Sequence, residues 1–562
     1  MYLPLILILN CLFIYLFRNK FNTIGIFVSS IISYFVTICY LAYILYYSIF
    51  NSCYIFIDYG RWFYVYDLID LNFVFVIDYL SLISTLLVLI LTLVAQIFGI
   101  EYMYREAFAA RLLYLLNMFA TSVIYLFFVF DFFLILIVWE LIGLFSLLLV
   151  NFYSTRIYTL KAAYKTFFFS RVSDFFISTL FFIIILFFNT TDLSLIFLQT
   201  PFLLYFNIYI FEFGFNILNI ISVFLVIAGG IKAAQFFSHV WLPDAMEAPT
   251  PASALIHSST LVIMGIYLII RCSIFFELSL IANYVLICWG GLTIAVGSVS
   301  AAFQNDIKKL VAYSTISQMG YLFCGCGFLC YSEVLFYLII HALNKAFLFI
   351  LVGYIVHFFL GNTDMRLMGS SYSISIDFVF LLFFLNLNLS GLPFSAGFLA
   401  KEFLIFQTIK DEFILNFLRV FWLISFLFTP FYMFYMSWNV FFRGRQSPVK
   451  LTSTNKNFFF FTPLTYLQQI QNIYFNSRLS SIIYLFFFII IIFYGETLIL
   501  ILNEFGFSTN LNHLQLWNYT NFFISEVSFN AAILSINLIF YLVLISLIAI
   551  TRLFINFLYI SI

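Results

Sequence analysis

The sequence predicts an all-α fold: a polytopic transmembrane helical bundle of about 15 spans, with inverted repeats and broken helices. Of the 562 residues, 65% are hydrophobic and only 9% are charged, and the mean hydropathy is +1.12. Soluble globular proteins carry about a quarter charged residues, which excludes that class. The apolar runs are continuous rather than alternating, which favours helices over a β-barrel. The 24 basic and 24 acidic residues cancel, so neither a basic surface for nucleic acid nor an acidic tail is expected.

Apolar runs separated by short polar segments locate the helices in order, because about 20 apolar residues cross a bilayer. The interruption at 443–479 is expected to be an extramembrane loop, and 190–214 is expected to lie in the membrane interface. Basic residues are spread too evenly among the short loops to assign an orientation. The predicted spans are 2–18, 24–49, 79–100, 111–129, 132–153, 163–188, 215–237, 251–271, 277–302, 309–331, 333–358, 374–403, 412–442, 480–503 and 530–558.

Two of these spans are predicted to be broken. Gly229-Gly230 precedes Lys232, and the segment Leu389–Pro393 precedes Lys401. Irregular backbone at membrane depth is tolerated only where it is buried in protein or lines water. Two broken helices, each followed by a lysine, suggest two halves related by an inverted repeat, as in secondary transporters.

Ionisable residues inside the spans are the candidate functional residues, because a charge at a helix centre costs about 2.5–3.5 kcal/mol. Glu140 lies within the apolar run 132–150, Lys232 follows a long apolar run, and His257 follows a Pro- and Ala-rich segment. Each has a structural alternative: a protonated or hydroxyl-bonded carboxylate, a lysine whose amine reaches the interface, and a hydrogen-bonded core histidine.

Further along the chain, His341 and Lys345 are four residues apart and share one helix face. Two cations at that spacing repel, so at least one is expected to be neutral, which burial favours. Lys401-Glu402 closes the second broken segment, where an ion pair at a helix end is the alternative. A Glu–Lys pair whose separation changes would act as a two-state proton switch, with histidines as relays.

Metal and nucleotide chemistry are not expected from the sequence. Hard cations need several carboxylates and transition metals need clustered His or Cys, and Gly229-Gly230 is not a phosphate-binding loop. Cys324, Cys326 and Cys330 lie in an apolar span without a fourth nearby thiolate, so we expect helix packing rather than an iron–sulfur ligand set.

Long motifs around the candidate residues carry a family resemblance. They are Trp139-Glu140, Lys232, the stretch His239–His257 (HVWLPDAMEAPTPASALIH) and the stretch Asp306–Gly320 (DIKKLVAYSTISQMG). These resemble the antiporter-like subunits of proton-pumping NADH–ubiquinone oxidoreductase, which are related to subunits of multi-subunit cation/proton antiporters. The resemblance runs from about residue 60 to 442.

Three features resemble the branch of that family called chain 5. They are Asp78–Ser81, Arg171–Asp174 and Lys401, where chain 4 relatives carry a glutamate. The sequence departs from the family pattern at two positions. Tyr337 replaces the family's second histidine, four residues before His341. An arginine of the thirteenth span is replaced around Tyr435.

The resemblance implies a proton-translocating membrane subunit of respiratory complex I, coupled to electron transfer in other subunits. The alternative is a sodium/proton antiporter subunit without a redox partner; a purely structural scaffold would not explain the buried ionisable groups. By resemblance, Glu140 and Lys232 are the coupled pair of one half-channel, Lys345 is the central relay and Lys401 is the terminal proton site. Further positions on the polar axis are Asp174, His257 and His341.

The resemblance also implies four units: N-terminal spans (1–110), a first antiporter-like half (111–271), a second half (272–442), and a loop with C-terminal spans (443–562) from which the family's lateral helix is missing. The lateral helix is expected either to be lost or to be supplied by a separate chain.

The resemblance further implies no cofactor in this chain, with flavin, iron–sulfur clusters and quinone in partner subunits. Expected partners are the other membrane-arm subunits, including a chain 4-like neighbour, and phospholipids, with no nucleic acid. An apolar start without a transit peptide, and 82 Phe and 38 Tyr with their AT-rich codons, indicate an organelle-encoded chain of the mitochondrial inner membrane.

Overall fold

The computed structural model describes residues 2–443 apart from short gaps. The predicted spans 480–503 and 530–558, and all of the predicted 443–479 loop after Arg443, lie outside the described residues. The gaps are 18–22, 52–53, 66–68, 104–105, 107, 211–212, 360, 370–375, 392–394 and 408–413.

The described residues form helices and two small antiparallel hairpins. In β1–β2, Ile55 lies opposite Ile77; in β3–β4, Asn207 lies opposite Asn216. The first elements are α1 (Tyr2–Phe17), α2 (Thr23–Asn51), β1 (Ile55–Val65), β2 (Ile69–Ile77), α3 (Tyr79–Tyr102), α4 (Ala109–Phe128), α5 (Phe132–Val150), α6 (Ile157–Phe188), α7 (Leu193–Gln199), β3 (Asn207–Ile210) and β4 (Phe213–Asn216). The next are α8 (Ile217–Lys232), α9 (Trp241–Asp244), α10 (Thr250–Leu255), α11 (Leu261–Arg271), α12 (Ser273–Glu277), α13 (Leu280–Ala302), α14 (Ile307–Gly327), α15 (Tyr331–Phe358), α16 (Ile376–Ser390), α17 (Ala396–Gln407) and α18 (Ile414–Ser437).

The predicted helical membrane fold is confirmed. Nine helices in the described part of the chain are long and apolar enough to cross a membrane. Several other predicted spans are shorter helices, such as α8, or are divided in two, such as α16 and α17. The predicted interfacial segment 190–214 contains α7, a 3₁₀ turn and the start of the β3–β4 hairpin.

Backbone pairing between the segments that connect the helices shows which of these segments lie at the same end of the bundle. Phe75 of β2 pairs with Val129, and Asp131 pairs with Asp192, so both hairpins and the α4–α5 connection lie at the same end. We call this end the hairpin face.

The opposite end, the loop face, is defined in the same way. Asp306 pairs with Asp364, and the Tyr354 hydroxyl of α15 donates to the Glu101 carboxylate at the end of α3. These connections join the other ends of the same helices.

The described basic side chains are concentrated on the loop face. The sequence alone did not show at which end of the bundle each connection lies. Arg271 lies at the hairpin face, where it pairs with Asp78. Those on the loop face are Arg111, Arg156, Lys161, Lys165, Lys308, Lys309, Arg366 and Arg443.

The predicted span 215–237 is broken, but the break follows Lys232 instead of lying at Gly229-Gly230. Helix α8 continues through both glycines and ends at Lys232. A Cβ on Gly229 would lie 2.9 Å from the Gly265 carbonyl oxygen, and one on Gly230 would lie 2.4 Å from the Trp289 ring. These glycines allow close helix packing, which is a common use of small residues in membrane helices.

The second break is confirmed. Helix α16 ends at Ser390, Gly391 has a φ of +76°, and α17 begins at Ala396. The left-handed φ is one that glycine adopts at little cost, so the helix can stop there.

The cysteine cluster packs helices together, as expected. The Cys324 thiol donates to the Ile287 carbonyl at 3.4 Å and lies 2.7 Å from where a Cβ on Gly290 would be. Within the described residues, no group of three His, Cys, Asp or Glu side chains could hold a metal ion.

Candidate functional site

Lys232 is buried at the carboxyl end of α8. Its side chain is 1% exposed, and its Nζ lies 3.7 Å from the Asp174 Oδ1 and 3.4 Å from the Trp139 carbonyl oxygen. The Nζ also lies 5.2 Å from the centre of the Trp139 ring. The unpaired carbonyls at a helix carboxyl end carry partial negative charge, so the position itself favours a cation.

The chain after Lys232 leaves the helix by an unusual backbone path. Ala234 and Phe237 have φ values of 53° and 69°, in the left-handed region that residues with a Cβ rarely adopt. The Trp241 indole donates to the Ile231 carbonyl at 3.1 Å, and the same carbonyl accepts from the Ala234 backbone N–H at 3.2 Å.

Asp174, and not Glu140, is the ion-pair partner of Lys232 in the structure. Arg171 lies between the two carboxylates, with one terminal nitrogen 2.9 Å from the Asp174 Oδ2 and the other 3.8 Å from the Glu140 Oε2. The Glu140 side chain is 45% exposed on the surface of this chain, whereas the sequence indicated a buried group. Arg171 was not identified as a site residue, although its spacing from Asp174 on one helix is that of neighbouring side chains.

His257 lies in a π-helical turn, Ile256–Thr260, between α10 and α11. It is fully buried, with its ring centre 6.2 Å from that of Trp241 and 6.1 Å from that of Phe349. Among the described residues, neither ring nitrogen has a hydrogen-bond partner. Single π turns are frequent at functional sites, and two available nitrogens are what a proton relay requires.

His341 and Lys345 are both buried on α15, as their shared helix face predicted. The Lys345 amine donates to the Ser314 hydroxyl at 2.5 Å. Tyr337, at the position of the family's second histidine, donates its hydroxyl to the Gln318 side-chain oxygen. Tyr337 of α15 is therefore hydrogen-bonded to a polar side chain of α14.

Lys401 lies on α17 and reaches back across the second break. Its amine donates to the Leu389 carbonyl of α16 at 2.5 Å, and the residue is 4% exposed. The Lys401 amine thus lies at the carboxyl end of α16, as Lys232 lies at the carboxyl end of α8, and the helix dipole favours a cation at both places.

Two asparagines hold this second break in place. The Asn388 amide donates to the Asn344 side-chain oxygen at 2.9 Å, and the Asn388 oxygen accepts from the Gly397 backbone at 2.6 Å. Asn344 precedes Lys345, so the lysine and the break are linked. Asn388 was missed in the sequence, where an amide within an apolar run was the available signal.

The predicted residues thus fall into two polar clusters with a histidine between them. Glu140 and Asp174 share one cluster with Lys232, and Lys345 shares the other with Lys401. His257 contacts α15 through Phe349, one helical turn beyond Lys345.

Known families match most of the described chain. Residues 129–429 match the family described as "NADH:quinone oxidoreductase/Mrp antiporter, TM". Residues 62–111 match the family described as "NADH-Ubiquinone oxidoreductase (complex I), chain 5 N-terminus".

Individual relatives carry the name NADH-ubiquinone oxidoreductase chain 5. The chain is 40% identical to that of Nyctotherus ovalis over 457 residues, which are 77% of this chain and 24% of the relative. It is 35% identical to that of Acanthamoeba castellanii over 409 residues, which are 72% of this chain and 60% of the relative. The chain therefore spans less than two thirds of these relatives' length.

The fold resembles that of a solved antiporter assembly. The Mrp complex from a Dietzia species matches with a TM-score of 0.65 and 24% sequence identity, over 78% of this chain and 47% of that one. Because the first family match covers more than half of the 562 residues, the chain belongs to the NADH:quinone oxidoreductase/Mrp antiporter family of membrane proteins.

Proposed function

We propose that this chain is a proton-translocating membrane subunit of NADH:ubiquinone oxidoreductase, respiratory complex I. The observation that carries the proposal is Lys232, buried at a helix break beside Asp174. Relatives named as chain 5 of this enzyme support the assignment. Moving one proton against 100 mV costs about 2.3 kcal/mol, so the chain must be driven by electron transfer in other subunits.

The switch is the Lys232–Asp174 contact. A lysine in the bilayer keeps its proton while a carboxylate is close and releases it when the carboxylate moves away. The two groups are 3.7 Å apart, at the outer limit of an ion pair, so a small movement changes their interaction. Arg171 competes for the same carboxylate and would set its position, and Glu140 acts on Lys232 through Arg171.

Protons would pass from this pair along the remaining buried groups. The order is Lys232, His257, then His341 with Lys345, and finally Lys401. All five side chains are buried. A neutral histidine can accept a proton on one ring nitrogen and donate from the other.

A sodium/proton antiporter subunit without a redox partner is the alternative function. The likeness to the Mrp complex concerns the fold, while the relatives with higher identity are complex I subunits. The same Lys and Asp chemistry would serve either function, so only a transport measurement separates them.

The redox groups of the enzyme would be held by partner subunits. Flavin, iron–sulfur clusters and quinone are therefore assigned outside this chain. Phospholipids would cover its apolar surface.

A neighbouring membrane-arm subunit, such as a chain 4-like antiporter subunit, would cover the face that carries Glu140 and Arg171. Their side chains are 45% and 34% exposed at the centre of apolar helices. Exposing a charge to lipid there costs about 2.5–3.5 kcal/mol, which favours a protein partner over lipid.

The mitochondrial inner membrane is the proposed location, with the loop face toward the matrix. Short connections retain basic residues on the side from which a membrane protein is inserted. The described basic side chains are concentrated at the loop face, and the matrix is where an organelle-encoded chain is made.

The proposal is tested with Lys232→Ala in the assembled complex, reconstituted in sealed vesicles. We expect NADH-driven proton transport to fall by about a hundredfold, because a proton-transferring side chain typically contributes 10²–10⁴. The measurement is a pH-sensitive dye in parallel with NADH oxidation, with and without sodium.

The matched control is Lys161→Ala, an exposed lysine of α6 on the loop face, which should leave transport unchanged. Normal proton transport by an assembled Lys232→Ala complex would contradict the proposal. Transport that requires sodium and proceeds without NADH would favour the antiporter alternative.

A further inference from the structure

The segment that follows α8 is held by two side chains of α13. The Trp289 indole donates to the Phe236 carbonyl oxygen at 2.8 Å, and the Thr293 hydroxyl donates to the Gln235 side-chain oxygen at 2.8 Å. Gln235 is fully buried, and its amide nitrogen has no hydrogen-bond partner among the described residues. The hydrogen bond from Thr293 therefore fixes the position of this side chain.

The two residues held in this way lie between the two left-handed residues of the same segment. Ala234 has a φ of 53° and Phe237 has a φ of 69°, whereas the preceding residue, Ala233, has an ordinary φ of −79°. A residue with a Cβ adopts a left-handed φ at a cost in free energy and keeps it only where the surrounding structure holds it. The two hydrogen bonds from α13 are placed to hold this backbone.

Helix α13 is itself fixed by close packing against α14. A Cβ on Gly290 would lie 2.8 Å from the Gly320 carbonyl oxygen, and one on Gly297 would lie 2.7 Å from the Ser317 backbone nitrogen. Both distances are too short for a real Cβ, so the two helices touch backbone to backbone. Helix α13 therefore provides a rigid support for the segment that it holds.

Lys232 is the last residue of α8, and its amine contacts helices other than α13. The amine lies 3.7 Å from the Asp174 Oδ1 on α6 and 3.4 Å from the Trp139 carbonyl oxygen on α5. The backbone that begins at the next residue is held on α13. The distance between the amine and Asp174 therefore depends on where α13 holds the end of α8.

We propose that Trp289 and Thr293 are positioning residues for Lys232. They hold the left-handed backbone after α8 and thereby set the separation between the Lys232 amine and the Asp174 carboxylate. This inference rests on the proposed function and adds two residues to the same site. When either hydrogen bond is lost, the left-handed residues relax, the end of α8 shifts, and the amine moves relative to its carboxylate.

The first test is hydrogen–deuterium exchange of backbone amides in the assembled complex. The Gln235 N–H donates to the Gly230 carbonyl at 2.9 Å, and the Ser238 N–H donates to the Gln235 carbonyl at 3.0 Å. Trp289→Phe should raise the exchange rate of these amides about fivefold, the effect of losing one buried hydrogen bond. Thr293→Val, which nearly keeps the shape of the side chain, should have a similar effect.

Ser298→Ala is the matched control for exchange. Ser298 is also buried on α13, but its hydroxyl donates to the Ala295 carbonyl of its own helix. The exchange rates of the segment after α8 should therefore stay unchanged in this variant.

The second test is rescue by glycine. Trp289→Phe should lower NADH-driven proton transport about tenfold, less than the loss expected for Lys232→Ala, because the lysine is displaced but not removed. Adding Ala234→Gly should return both transport and exchange toward the unsubstituted values, since glycine adopts a left-handed φ at little cost. Adding Ala233→Gly instead should not do so, because that residue has an ordinary φ. A tryptophan that only filled space would not be replaced by a glycine that adds no contact.

Unchanged exchange in both Trp289→Phe and Thr293→Val, or equal rescue by the two glycine substitutions, would overturn the positioning role. The exchange measurement does not depend on proton transport. If Lys232→Ala transports protons normally while the exchange pattern holds, the proposed function fails and the role of α13 in holding the backbone remains.

Discussion

Buried lysines in this chain are stabilised in two different ways. Lys232 has a carboxylate partner, Asp174, whereas Lys345 contacts a neutral hydroxyl, Ser314. Among the described residues, no carboxylate lies within ion-pair distance of the Lys345 amine. The two lysines therefore differ in the charge of the side chain that each amine contacts.

At the scale of single residues, we predict the effect of Lys345→Ala. Proton transport should fall by about a hundredfold, at the low end of what a proton-transferring group contributes. Assembly should be retained, because an alanine leaves no buried charge behind. The same dye measurement in vesicles applies, and Lys309→Ala, on the loop-face end of α14, is the control. An assembled Lys345→Ala complex with normal transport would exclude the relay role.

Ion pairs and helix caps outside the proposed proton path fix the positions of single helices. Asp78 caps α3, where it forms a capping box with Ser81. Its carboxylate also pairs with Arg271 at the end of α11, with 2.5 Å between the Arg271 Nη1 and the Asp78 Oδ2. Arg271 further donates to the Tyr267 hydroxyl and to the Phe127 carbonyl. One buried guanidinium therefore joins α3, α4 and α11 at the hairpin face.

At the scale of elements, we predict that Asp78→Ala destabilises the chain by about 3–5 kcal/mol, because Arg271 remains buried without its partner. Thermal inactivation of the assembled complex measures the change. Asp364→Ala is the matched control, since Asp364 also caps a helical turn and pairs with an arginine, Arg366, but at the exposed surface. The control should cost about 1 kcal/mol. Equal losses in both variants would show that the Arg271 pair contributes nothing beyond capping.

Over the whole molecule, the distribution of charge separates three surfaces. Among the described residues, the loop face carries charges of both signs, the sides are mainly apolar, and one side carries the charges of Glu140 and Arg171. Charged loops lie in water or at the lipid headgroups, and apolar sides lie in the hydrocarbon layer. Neither environment suits charged side chains at the centre of apolar helices, which favours contact with another protein.

The proposed neighbour on the third surface is tested by photo-cross-linking. Phe168 and Phe175 flank Arg171 on the exposed face of α6, and their side chains are 63% and 62% exposed. A photoreactive phenylalanine analogue at either position should cross-link to another membrane subunit of the complex. Tyr43, 65% exposed on α2, is the comparison position on a face without charge. Lipid adducts alone at Phe168 and Phe175 would exclude the neighbour.

The orientation is tested by labelling engineered thiols with an impermeant maleimide. Arg366→Cys at the loop face should react only from the matrix side, and Asn207→Cys at the hairpin face only from the opposite side. Mitoplasts and inverted inner-membrane vesicles give the two comparisons. The reverse pattern would invert the proposed orientation.

The helical membrane class and the candidate lysines could be predicted from the sequence because both depend on local properties. The length of an apolar run determines whether it crosses a bilayer, and a lysine within such a run is costly wherever the helix lies. The break before Lys401 was also predictable, because Ser390-Gly391 carries a local conformational preference. The Gly229-Gly230 break was not, since those glycines serve packing against Gly265 and Trp289 instead.

The sequence by itself determined the class of protein, the approximate positions of the helices and which few ionisable groups lie within them. Only the tertiary structure decided that Asp174 rather than Glu140 contacts Lys232, that Glu140 lies at the surface, and that eight of the described basic side chains lie on the loop face. The physical reason is that each of these facts depends on how helices distant in sequence are rotated and placed against one another. An apolar run specifies that a helix forms, but its contacts with other helices specify which side chain meets which.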